Sequence, residues 1–157
     1  MRSKTRVGHF LQALAVGALL ASPSLAQVEE QFDQREYYID GVQVDCGDVV
    51  TIVRRDETEL IYAKDYSTIV IHGTVFDTLP PGLRLFAYFQ TCSMIFYDDA
   101  TPADASAIRR GMANQWLSVA DIETMCQTNT LLEAGWSVAP DGPRCDAIIE
   151  IVRAALN

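Results

Sequence analysis

The segment Leu79 to Tyr97, LPPGLRLFAYFQTCSMIFY, constrains the fold more than any other stretch of the chain. It opens on a proline pair and then runs almost wholly apolar, interrupted only by Arg84, Gln90, Thr91 and Ser93. Pro80-Pro81 preset φ for a helix start, where a missing N–H costs nothing. The spacing predicts a helix over about 81–96, closed by Asp98-Asp99. Its apolar residues lie all round the helix rather than along one stripe, so it must be buried on most sides. Other elements are needed to cover it.

The cover begins upstream. Tyr37-Tyr38-Ile39 and Val42-Gln43-Val44 flank Asp40-Gly41, a pair suited to a type I′ hairpin because both residues tolerate positive φ. Val49–Val53, Leu60–Ala63 and Thr68–Ile71 read as short strands. Arg54–Glu59 and Lys64–Ser67 read as the turns between them, and the whole as an antiparallel meander. Downstream, Thr101-Pro102-Ala103-Asp104 has a cap, a first-turn proline and a first-turn acid, which predicts a helix to about Asn114. Ser118-Val119-Ala120-Asp121 starts another, reaching about Gln127. Asn129–Pro140 reads as loop, and Asp141-Gly142-Pro143 opens a last helix through Ala155 with Ile148, Ile149 and Val152 as its inner face. The expected fold class is α+β: a short antiparallel sheet packed on a buried central helix, with two or three further helices.

Residues 1–26 read as an export signal. Arg2, Lys4 and Arg6 precede an apolar run from Phe10 to Leu20, and Ser24-Leu25-Ala26 is a small-x-small cleavage site. Residues 27–157 then form one domain, with 27–36 as a loose polar arm. That domain carries 9 basic against 21 acidic residues, a net charge of −12. Such a chain repels nucleic acid and anionic lipid. No other segment is long and apolar enough to span a membrane, so the exported chain is expected in the periplasm or outside the cell.

Four cysteines remain after the signal: Cys46, Cys92, Cys126 and Cys145. An even number in an oxidising compartment implies two disulfides, with three possible connectivities. The pairing of Cys126 with Cys145 closes the local loop and leaves Cys46 with Cys92, which makes that set the favoured one. The domain has one histidine, His72, so a zinc site built on two or three imidazoles of one chain is excluded.

The order of small sheet, buried helix, acidic turn and capped helix resembles the minimal core of zincin metallopeptidases. In those enzymes the buried helix carries His-Glu-x-x-His. The two histidines share one helix face and bind zinc, the glutamate is the general base, and a glutamate on the next helix completes the gluzincin type. The sequence is also similar to a group of secreted bacterial metallopeptidase-like proteins. The similarity rests on Leu83-Arg84-Leu85-Phe86, Cys92, Ala103-Asp104, Ala107, Trp116-Leu117, Cys126, Arg144-Cys145 and the upstream Asp45-Cys46-Gly47-Asp48, across roughly residues 42–146. The resemblance puts Gln90 and Met94 at the two histidine positions, Thr91 at the base and Pro102 at the third ligand. Ala105 replaces a cysteine of that segment. An amide and a thioether are poor zinc ligands, proline offers none, and threonine is no general base. What the resemblance implies is an exported, catalytically inactive metallopeptidase-like protein. It would have no metal and no cofactor, and would act on a protein or peptide partner by binding.

Other constellations compete with this one. Gln90, Thr91 and Ser93 can equally be core-helix residues satisfied locally. Cys92 and His72 could form a nucleophile and base. Asp98, Asp99, Asp104 and Glu133 could form an acidic hydrolase or cation site. Arg84 or Arg109 could pair with a buried acid, with Arg110 a surface charge. Tyr37, Tyr38 and Trp136 could line a binding surface. A disulfide-bonded interaction module with no peptidase ancestry is the remaining alternative.

Overall fold

The computed structural model describes residues 29–137 and 139–155, so the expected export signal lies outside the described residues. A sheet of four strands is built from β1 (Glu30–Phe32), β4 (Val50–Arg54), β5 (Ile61–Asp65) and β6 (Thr68–His72), in the order β1-β4-β6-β5. Two short strands, β2 (Tyr38–Ile39) and β3 (Val42–Gln43), form the Asp40-Gly41 hairpin, with φ of 51° and 79° at its two turn residues. Six helices follow: α1 (Gly73–Phe76), α2 (Pro81–Met94), α3 (Ala100–Ala113), α4 (Val119–Thr128), α5 (Thr130–Glu133) and α6 (Gly142–Ala155). The α+β class is as expected from the sequence.

The sheet is not the antiparallel meander. β5 and β6 form an antiparallel hairpin, closed where Asp65 accepts from the backbone and hydroxyl of Ser67. β6, however, lies parallel to β4, with Val50 opposite Thr68 and Arg54 opposite His72. The reason is burial on two faces. Ile69, Val70 and Ile71 are all buried, and a strand without a polar face belongs in the middle of a sheet. β6 therefore takes the central position and sends β5 to the edge. Glu30–Phe32, expected within a loose arm, instead pairs antiparallel with β4.

Gly73 marks the passage from β6 into α1. A side-chain carbon there would stand 2.6 Å from Cγ1 of Val53, so this close approach requires glycine. Eleven of the 14 residues of α2 are buried, as its all-round apolar surface demands. The helix ends at Met94, two residues before the expected limit, and leaves Phe96 and Tyr97 exposed. α3 is capped by Asp99, whose carboxylate accepts from the Thr101 N–H at 2.9 Å; Thr101, the expected cap, lies inside the helix. Pro102 sits in the first turn, where no intrahelical donor is needed. α4 opens on a capping box formed by Ser118 and Asp121.

α2 makes its most extensive packing with α3, and α3 packs in turn on α6. The stretch expected as loop contains α5 and places Trp136, 0 % exposed, edge-on to Phe86 at 6.0 Å. Trp136 is therefore core and lines no binding surface with Tyr37 and Tyr38. Two disulfides staple the layers. Cys46–Cys92 ties the chain before β4 to α2, and Cys126–Cys145 ties α4 to α6. Loops of 46 and 19 residues correspond to about 4 and about 3 kcal/mol of loop-closure entropy removed from the unfolded chain. Among the described residues no helix is long and apolar enough to cross a membrane.

Candidate functional site

α2 crosses behind the edge strand β5, and the helical period turns Gln90, Thr91 and Met94 toward that edge. Between them and Ile61, Tyr62 and Ala63 of β5 lies a cleft of about 350 Å³. Glu59, just before β5, and Ser137, just after Trp136, complete its wall. The Glu59 carboxylate accepts from the Ser137 N–H at 2.9 Å and from the Ser137 hydroxyl. Tyr62 donates to Glu57 at 3.4 Å, and its phenol is pushed above its ordinary pKa by burial and by the Glu57 charge.

The floor of the cleft is polar and poorly satisfied. Gln90 is 0 % exposed and Thr91 3 %, and neither end of the Gln90 amide nor the Thr91 hydroxyl meets hydrogen-bond geometry with any described group. Buried polar atoms left without partners cost about 1–3 kcal/mol each. Behind Gln90 lies Asp104, 1 % exposed, gripped at both oxygens by Arg144: Nε to Oδ2 at 2.6 Å and Nη2 to Oδ1 at 2.7 Å. Burial pushes the Asp104 carboxyl above the ordinary carboxylate range, against the opposing pull of Arg144 and of Gln90. The Gln90 amide thus feels Asp104 without forming a well-shaped bond to it.

Three of the four positions singled out by the metallopeptidase resemblance, Gln90, Thr91 and Met94, line this one cleft; Pro102 does not. The donor set does not fit zinc. It offers an amide, a hydroxyl and a thioether, and among the described residues no group of three or more His, Cys, Asp or Glu side chains is placed to hold a cation.

The competing constellations come apart. Cys92 is bonded to Cys46 and is no nucleophile. Asp98 and Glu133 are exposed, Asp99 caps α3 and Asp104 is committed to Arg144, so the four acids share no site. Arg84 pairs with Asp40 at 2.6 Å, Arg109 is exposed, and Arg110 lies over the Phe89 ring at 3.9 Å. The buried acid is paired by Arg144 instead. Ser137 donates its hydroxyl to the Glu59 carboxylate, and no imidazole lines the cleft.

What the cleft can do chemically is hold a ligand by hydrogen bonds and apolar contact. Glu59, Tyr62 and Ser137 carry no local sequence signal for this role, because they reach the site from distant segments. Comparison with known protein families, with curated proteins and with solved structures finds no match.

Proposed function

We propose that this chain is an exported, catalytically inactive metallopeptidase-like protein that acts by binding at the cleft between α2 and β5. The observation offered in support is that Gln90, Thr91 and Met94 lie along one cleft beside an edge strand; Pro102, the third-ligand position of the resemblance, lies outside that cleft and counts against a complete zincin-type site. The resemblance assigns these same three positions to the zinc ligands and the base, and here two of them, Gln90 and Thr91, hold groups suited to hydrogen bonding. Two disulfides support export, since such bonds persist in oxidising compartments. The partner is a protein or peptide, and the acidic surface disfavours nucleic acid.

The test restores the lost groups. A variant carrying Gln90→His, Thr91→Glu and Met94→His, the three positions that line the cleft, is expected to bind zinc, while the unaltered protein binds none tightly. A tight equivalent in the unaltered protein would overturn the inactive reading. Failure of the restored variant to bind zinc, though folded, would favour an interaction module without peptidase ancestry.

A further inference from the structure

We infer that the floor of the cleft is a recognition site for a neutral planar amide, read by the side-chain amide of Gln90 with the Thr91 hydroxyl beside it. The inference rests on the binding reading above and names the chemistry of what is bound.

Gln90 offers a donor and an acceptor side by side, and both lack partners. Thr91 adds a hydroxyl that can serve either way, also without a partner. Both residues line the cleft, although the polar atoms themselves lie just under its surface. Turning the Gln90 amide toward a ligand gives up only its poorly shaped contact with Asp104, which Arg144 still holds at both oxygens.

The complementary group presents an acceptor and a donor in one plane. A primary carboxamide or lactam does so. So do the N–H and C=O of a single residue in an extended peptide. The rest of the wall selects for neutrality. Ile61, Ala63 and Met94 are apolar, and no Lys or Arg lines the cleft. An anion would meet Glu59 and an acidic protein, whereas a cation would find only a carboxylate already taking two donors from Ser137. The cleft's volume of about 350 Å³ suits a small group rather than a large one.

The experiment is a ¹H–¹⁵N NMR titration of the unaltered protein, following the side-chain NH₂ pair of Gln90. One arm compares isobutyramide with methyl isobutyrate. The other compares capped tetra-alanine with the depsipeptide in which one N–H is replaced by oxygen. The expected result is that at least one amide shifts the Gln90 signals and binds about tenfold more tightly than its ester, the value of one neutral hydrogen bond. The arm that responds distinguishes a small carboxamide from a peptide. Gln90→Met is expected to lose that tenfold preference while its amide spectrum stays dispersed. Equal binding of amide and ester, or no shift of the Gln90 signals with any probe, overturns the inference. Those outcomes leave the inactive reading standing, and the amide-ester comparison needs no variant to fold. Chelator-sensitive cleavage of tetra-alanine would instead overturn the reading on which the inference rests.

Discussion

Replacing Gln90 with methionine is expected to make the protein more stable. The Gln90 side chain is 0 % exposed, and both ends of its amide lack hydrogen-bond partners among the described residues. An amide buried without compensation costs about 1–3 kcal/mol on protein mutational scales. Methionine has nearly the same length and a flexible chain, so the exchange itself costs less than about 1.5 kcal/mol. The substitution also removes the pull of Gln90 that favours the charged form of Asp104, a small loss because Arg144 still holds both oxygens. The expected balance is a gain of about 1 kcal/mol, or a rise in Tm of about 4 °C for a domain of this size. Urea unfolding followed by circular dichroism reads this directly, with an unchanged m value showing that the unfolded state is unaffected. A loss of more than about 1 kcal/mol would refute the reasoning, because it would mean that the amide is satisfied in solution, by Asp104 or by an ordered water. A polar residue that lowers stability at a cleft floor is the pattern expected where binding, not folding, retains it.

Other expectations concern the frame around the cleft. The Asp104 carboxyl titrates above the ordinary range in the fold, so the folded state holds the extra proton. Its contribution is fully present below the unfolded value and is lost as pH rises through the folded value. Asp104→Asn should remove that component, so the stability of the unaltered protein should fall relative to the variant between about pH 4 and the raised value, measured by urea unfolding across pH. Replacing Cys46 and Cys92 together with alanine should cost up to about 4 kcal/mol, and the Cys126–Cys145 pair about 3, measured in the same way. Gly73→Ala should destabilise by about 1–3 kcal/mol, because its new carbon would press on Val53 where β6 turns into α1. A Gly73→Ala variant with unchanged stability would mean that Val53 moves aside freely.

The central helix is legible in the sequence because its signals are local. A proline pair fixes its start, and an apolar surface on every side fixes its burial. The polar residues Gln90 and Thr91 stand out by interrupting that surface, which is why these two residues of the cleft are legible in the sequence. The order of the strands is a different matter. Hairpins, turns and β-branched runs are written locally, but the insertion of β6 between β4 and β5 follows from burying both faces of Ile69–Ile71, and neighbours in sequence do not reveal it. The cap of α3 is Asp99 rather than the expected Thr101: both are good capping residues two positions apart, and the acid takes the role. Trp136 lies in a segment without periodicity, so nothing in its neighbourhood separates core from surface. The pairing of Asp104 with Arg144 spans 40 residues, and the second wall of the cleft, Glu59 with Ser137, spans 78. Such pairs become visible only once the helices are packed.

The central claim is that the cleft between α2 and β5 binds without cleaving. Its most direct test is to incubate the purified protein, residues 27–157, with a broad peptide library and added zinc, and to read the products by mass spectrometry. The account predicts an unchanged library, the same with zinc as with chelator. New peptide ends that appear with zinc and vanish with chelator would contradict it.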